Sequence, residues 1–188
     1  MLGLDASRGV TAREANEWFQ LSGIHVDGES ATVRSRLGAL LWNVSGGLLA
    51  GAVVGFHDHL LIMEAGLAFF MPVTLALSES IGMQAVAISI TGGRSAPEWR
   101  AAPVLAGTCA LLVGLAAIAT KQRDAVAVTI VAAIVVAMTA SALIGALVPA
   151  LMRRFSRNPA VAAGPIVLAV ADFVSLMLYF RLGAALLS

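Results

Sequence analysis

Five long apolar runs alternate with short polar connections along this chain. The first, Leu37 to Phe56, is twenty residues without a charge, the length of helix that crosses a hydrocarbon core. The second begins near Glu64 and runs to about Thr91, and the third covers Ala101 to Thr120. The fourth covers Ala125 to about Met152, and the fifth starts near Pro159 or Ala160 and carries Asp172. Between them lie His57-Asp58-His59, the Gly92 to Arg100 loop, Lys121-Gln122-Arg123-Asp124, and a basic loop with Arg153, Arg154 and Arg157. The pattern predicts an all-α membrane protein with five transmembrane helices over residues 37–188. A polar segment, residues 1–36, precedes them. Thr11 to Glu14 fits a capping box, so a short helix is expected to end near Ser22-Gly23. Its narrow apolar face, with Trp18 and Phe19, suits either the membrane surface or a cap on the bundle. Val26 to Ser35 reads as a linker.

Composition agrees with this reading. The chain has 188 residues, 59% hydrophobic and 12% charged, where a soluble domain is about one-quarter charged. Its net charge of +1 says little about partners, and the lack of a basic run points to no nucleic-acid partner. The one cysteine, Cys109, sits in an apolar run and reads as a packing residue. No cleavable signal peptide is expected.

Small residues recur at helical spacing. Gly47, Gly51 and Gly55 mark one face of the first span, and Ala106, Ala110 and Gly114 one face of the third. In the fourth, Ser141, Gly145 and Pro149 do the same. Such faces let helices approach closely.

The distribution of basic residues sets the orientation. With a cytoplasmic N-terminus, the inner segments hold Arg8, Arg13, Arg34, Arg36, Arg94, Arg100, Arg153, Arg154 and Arg157. The outer segments hold Lys121, Arg123 and Arg181. The positive-inside rule then favours N-in, C-out, in a cell (inner or plasma) membrane.

Two acids interrupt the apolar spans. Asp172 lies near the middle of the fifth, and Glu79 has fourteen uncharged residues on each side in the second. A charge at such depth costs roughly 2.5–3.5 kcal/mol on translocon scales, so it marks a pathway or a hydrogen-bonded helix contact. Thr74, Ser78, Ser80, Gly82 and Gln84 add polarity around Glu79. Oxygen ligands of this kind suit Mg²⁺, which keeps several waters and needs few carboxylates. Histidine and thiolate sets for zinc or copper are missing from the spans. Pro165 deprives the Val161 carbonyl of its helical donor, so that carbonyl is available to a pathway. A two-fold dimer would double the acids around an axis. His57-Asp58-His59, with Glu64, falls at the outer mouth in this orientation. It reads first as a polar turn and second as a metal-attracting mouth. No nucleophile–base set can be assembled, so no enzyme is expected.

Two segments resemble a known family. Leu67 to Ala87, LAFFMPVTLALSESIGMQAVA, is similar to the second helix of the MgtE magnesium channels, of pattern LAFFxPxxxGxGGNxGxQ. Ala146 to Phe180, ALVPALMRRFSRNPAVAAGPIVLAVADFVSLMLYF, resembles their last loop and fifth helix. The resemblance implies a homodimer whose ion path lies between subunits, lined by the second and fifth helices. It places the family's pore acid on Asp172 and a backbone-carbonyl position on Leu168. Gly164 falls just before the proline, where the family often has a side-chain amide. The GGN part of the motif is Ser78-Glu79-Ser80 here, so Glu79 replaces a glycine, while Gly82 and Gln84 match. The resemblance covers the membrane part and not the amino-terminal and CBS domains, as in the animal solute-carrier magnesium transporters.

The expectation is therefore a divalent-cation transporter, with Mg²⁺ as cargo and as a further structural ion. Asp172 and Glu79 are its metal residues, and Leu168, Gly164, Ser175, Ser78, Ser80, Gly82 and Gln84 its lining. Two alternatives stay open: a proton- or sodium-coupled exchanger that uses Glu79, and a non-transporting scaffold with two buried hydrogen-bonding acids.

Overall fold

The structure is a computed structural model, which describes residues 33–91, 98–154 and 159–187. The short helix expected after Thr11 lies outside these residues. Six helices are described: α1 (Val33–Phe56), α2 (Asp58–Met63), α3 (Ala65–Thr91), α4 (Glu98–Ala119), α5 (Asp124–Arg154) and α6 (Pro159–Leu187). No strand occurs among the described residues. Four helices contain apolar windows long enough to cross a membrane: Ala65–Ile90, Ala101–Ala119, Asp124–Arg154 and Ala163–Leu187. The apolar part of α1, Leu40–Phe56, is shorter. The protein is a multi-pass helical membrane protein.

Helix limits differ from the hydropathy reading at the ends, where backbone hydrogen bonding continues past the apolar run. Helix α1 starts at Val33, within the expected linker, and α4 starts at Glu98, within the expected loop. Nothing from Val33 to Arg36 or from Glu98 to Arg100 is a helix breaker. Arg153 and Arg154, read as loop, form the last turn of α5, where cations complement the negative end of the helix dipole. The connection after α1 is also more ordered than a polar turn. His57 is a turn residue, and Asp58 opens the six-residue helix α2. The Lys121-to-Asp124 turn occurs as expected, with Lys121 at φ 57°, and α5 starts at Asp124.

Helix α5 is the centre of the bundle, in contact with α3, α4 and α6. It is amphipathic enough to bury Ile130, Ile134, Met138 and Ser141 along its length. Helix α1 flanks α6, and α4 flanks α5. The directions follow from pair contacts. Gly66 meets Gln122 and Val126 at one end, while the Ser89 hydroxyl donates to the Ala146 carbonyl at the other, so α3 and α5 run parallel. Leu67 meets Tyr179 and Gly183, while Gly82 faces Val167, so α6 runs antiparallel to α3.

Small residues set these contacts, though not all those expected. Ala106, Ala110 and Gly114 are buried, and a Cβ on Gly114 would stand 2.5 Å from Val131 of α5. Gly145 lies against the main chain of Gly82 and the Ala85 methyl. In α1 the outcome is different. A Cβ on Gly47, Gly51 or Gly55 would meet nothing within 4 Å, whereas one on Gly46 would stand 2.6 Å from the Ala169 Cβ of α6. The glycine period signals a face, but the rotation of α1 about its axis decides which face meets a neighbour within the chain.

Candidate functional site

The two intramembrane acids are brought together. Glu79 on α3 and Asp172 on α6 are each half-buried, and their carboxyls lie within reach of a side-chain hydrogen bond. Antiparallel packing of α3 on α6 produces this meeting, since both residues lie near mid-helix. Asp172 Oδ1 is buried and has no hydrogen-bond partner among the described residues. Helices α3 and α5 have no Lys or Arg between their terminal turns, and on α6 the only one is Arg181, exposed and more than two turns beyond Asp172. Two adjacent carboxyls with no basic neighbour, in a low-dielectric setting, form an arrangement that a cation satisfies.

Several hydroxyls neighbour the two acids along α3 and α6. Ser78, next to Glu79, is fully buried, and its Oγ has no partner among the described residues. Ser175, one turn beyond Asp172, is buried with its Oγ 3.3 Å from Ser141 Oγ on α5. It therefore serves the α5–α6 contact. Thr74 turns its hydroxyl back to the Phe70 carbonyl at 3.1 Å. Ser80 and Gln84 lie on the exposed face of α3, where Gln84 Nε2 donates to Ser80 Oγ at 3.3 Å. Gly82 is buried: a Cβ there would stand 3.4 Å from the Ser141 carbonyl, so its place is in the helix crossing. Leu168 and Gly164 are half-buried on α6, and a Cβ on Gly164 would stand 3.5 Å from the Met83 methyl. An apolar thioether thus occupies the space beside a position where the resemblance leads one to expect an amide.

The residues expected at the outer mouth separate. The His57 ring bonds through Nδ1 to the Val53 carbonyl at 2.8 Å and stacks on Phe180, with centroids 4.9 Å apart. Asp58 and His59 are exposed on α2, and Glu64 forms an ion pair with Arg123. No group of three or more His, Cys, Asp or Glu is gathered as a metal set among the described residues. His57 is thus tied to the ends of α1 and α6, and Glu64 to the α4–α5 turn.

One important residue escaped the sequence reading. Tyr179 is buried on α6, and its hydroxyl donates to the Leu67 carbonyl of α3 at 2.8 Å. The signal was present: it is the one tyrosine in the chain, placed in an apolar span where its hydroxyl needs a partner.

The chain is a helical membrane bundle with a carboxylate pair near mid-span. Comparison with known proteins makes this specific. A family model for MgtE, described as a divalent cation transporter, matches residues 71–182, and the chain belongs to the MgtE family. The matched residues include both acids. The magnesium transporter MgtE of Bacillus subtilis (strain 168) is 22% identical over 151 residues, covering 74% of this chain and 34% of that protein. The chain thus spans about a third of that relative's length. The family is one of transporters rather than enzymes, and membership supports cation transport.

Proposed function

We propose that the protein moves divalent cations, Mg²⁺ first among them, through a path lined by α3 and α6. The observation that carries this reading is the Glu79–Asp172 pair, with Asp172 Oδ1 buried and unpartnered and no basic side chain beside it. Mg²⁺ sheds water reluctantly, so two acids from one chain hold a largely hydrated ion. A second copy related by a two-fold axis supplies two more acids and closes the path between protomers. Asp172 binds the ion, and Glu79 adds charge beside it. Leu168 offers its main-chain carbonyl one turn away, and Gly164 and Ser80 with Gln84 line the approaches. Mg²⁺ at this site also holds α3 against α6, a structural role alongside transport.

The distribution of arginine supports an orientation with the α1 start inside and the α6 end outside in the plasma or inner membrane. Residues 37–188 then form the transport domain and residues 1–36 a cytoplasmic segment. His57, Asp58, His59 and Glu64 lie at the outer face in this frame.

The test is uptake of Mg²⁺ into liposomes containing purified protein, comparing wild type with Asp172→Asn. The wild type fills the vesicles and Asp172→Asn does not. Equal uptake by both would remove Asp172 from the path, and no uptake by either would favour a scaffold.

A further inference from the structure

Four prolines lie inside the described helices: Pro72 in α3, Pro103 in α4, Pro149 in α5 and Pro165 in α6. Each lacks an N–H and so leaves the carbonyl four residues earlier without its helical donor. Two of the four share a face with an intramembrane acid. Pro72 precedes Glu79 by seven residues, and Pro165 precedes Asp172 by seven. The freed carbonyls, Ala68 on α3 and Val161 on α6, each precede their acid by eleven. At 3.6 residues per turn, seven and eleven residues both return to within about 20° of the same face. Pro149, by contrast, is buried in the bundle, and Pro103 is on α4, whose apolar span, Ala101–Ala119, carries no acid.

Direction adds to position. Carbonyls in an α-helix point toward its C-terminus. The Ala68 oxygen therefore points along α3 toward Glu79, and the Val161 oxygen points along α6 toward Asp172. Because α3 and α6 are antiparallel, the two oxygens aim at the carboxyl pair from opposite ends, each from about 16 Å away along its helix. Ala68 and Pro72 are exposed and Pro165 is half-buried, so the face is not closed by the rest of the chain. The neighbouring Leu67 carbonyl is on the buried side and takes the Tyr179 hydroxyl, leaving Ala68 free of that bond.

We propose that the Ala68 and Val161 carbonyls, freed by Pro72 and Pro165, are two further subsites for a hydrated divalent cation, one on each side of the Glu79–Asp172 pair. A carbonyl in a dry helix face accepts from the water shell of the ion without stripping it, which suits Mg²⁺. The carboxylates hold the ion at mid-membrane, and the carbonyls receive it on the way in and out. This rests on the reading of α3 and α6 as the walls of the path.

Replacing either proline by alanine gives the carbonyl its N–H donor back and occupies the proposed ligand. The experiment is sided Mg²⁺ flux in oriented liposomes for wild type, Pro72→Ala, Pro165→Ala, Pro103→Ala and Asp172→Asn, with thermal melts of each. Pro72→Leu and Pro165→Leu repeat the test with a bulkier side chain, in case an alanine variant folds poorly. Expected for Pro72 variants is a half-saturating Mg²⁺ concentration raised roughly five-fold, the scale of one lost hydrogen bond, for ion added on the outer side. Pro165 variants show the same rise for ion added inside. Both keep or exceed the wild-type melting temperature, since a backbone bond is regained, and Pro103→Ala leaves flux unchanged. Unchanged half-saturation in the Pro72 and Pro165 variants, with Asp172→Asn inactive, overturns the subsites and leaves the carboxylate reading standing. An equal loss in Pro103→Ala also overturns them, because the effect would then be general to helical prolines. Wild-type flux in Asp172→Asn defeats the carboxylate reading itself.

Discussion

The Tyr179 hydroxyl donates to the Leu67 main-chain carbonyl across 2.8 Å, joining residues 112 apart in the chain. This bond fixes the axial register between α6 and α3, the helices that hold Asp172 and Glu79. Tyr179→Phe removes the hydroxyl but keeps the ring, including its edge-on contact with Phe180. A loss of about 1 kcal/mol in stability is expected from the missing hydrogen bond. Melting curves in detergent check this, and the variant should also bind Mg²⁺ more weakly than wild type. Binding unchanged beside lowered stability would mean that the register at the acids is set elsewhere.

Mg²⁺ should stabilise the protein through Asp172. A ligand that binds only the folded state at a hundred times its Kd adds about 2.7 kcal/mol. The wild-type melting temperature is expected to rise along a Mg²⁺ titration, and the Asp172→Asn curve to stay flat. Glu79→Gln is expected to fall between the two, with a weaker midpoint, because it keeps the hydrogen-bonding shape and loses the charge. A Glu79→Gln curve identical to wild type would remove Glu79 from the ion site.

Glycines four residues apart look alike in sequence and differ in the fold. Gly46→Ala places a methyl 2.6 Å from the Ala169 Cβ and 2.8 Å from its Cα, so α1 has to move off α6. A cost of about 1–3 kcal/mol is expected, typical of overpacking. Gly51→Ala meets nothing within 4 Å in the chain and should change protomer stability by less than about 0.5 kcal/mol. Thermal melts of the two variants, made side by side, check the contrast.

Gly145 is the more severe case. Its Cα faces the Gly82 main chain, which cannot rotate away as a side chain can. Gly145→Ala is expected to separate α3 from α5 and to reduce folded yield, at a cost of about 1–3 kcal/mol or more. Gly114→Ala meets only the Val131 side chain and should cost less. If Gly145→Ala were the milder of the two in a denaturation series, the close α3–α5 crossing would be refuted.

The Arg123–Glu64 ion pair ties the α4–α5 turn to the start of α3. Arg123 is 73% exposed and Glu64 15%. With one partner this open to solvent, a double-mutant cycle is expected to give about 0.2–1 kcal/mol. The coupling should shrink as salt rises from about 0.01 M toward about 1 M and the screening length shortens. A coupling that ignores salt would show that the pair is more enclosed than these exposures imply.

The spans themselves were legible because bilayer thickness turns hydropathy directly into helix length. The stretch around Glu79 and the stretch around Asp172 each announced itself, since a charge in an apolar run is conspicuous. The ends were less legible: Arg153 and Arg154 look like loop, but backbone hydrogen bonds carry α5 past its apolar part. His57-Asp58-His59 looked like a unit, and the fold separates it by bonding His57 to Val53 and stacking it on Phe180.

By itself, the sequence determined the multi-pass helical class, the family, and the two acids worth attention. These follow from local properties: hydrophobic length, charge and short motifs. Tertiary structure alone decided that Glu79 meets Asp172, that Ser175 turns to Ser141 rather than to open space, and that Gly46 rather than Gly47, Gly51 or Gly55 meets a neighbouring helix of the chain. Each of these depends on the rotation and axial register of one helix against another. Side-chain packing such as Tyr179 on Leu67 and Gly145 on Gly82 sets both, and hydropathy along a single run does not encode them.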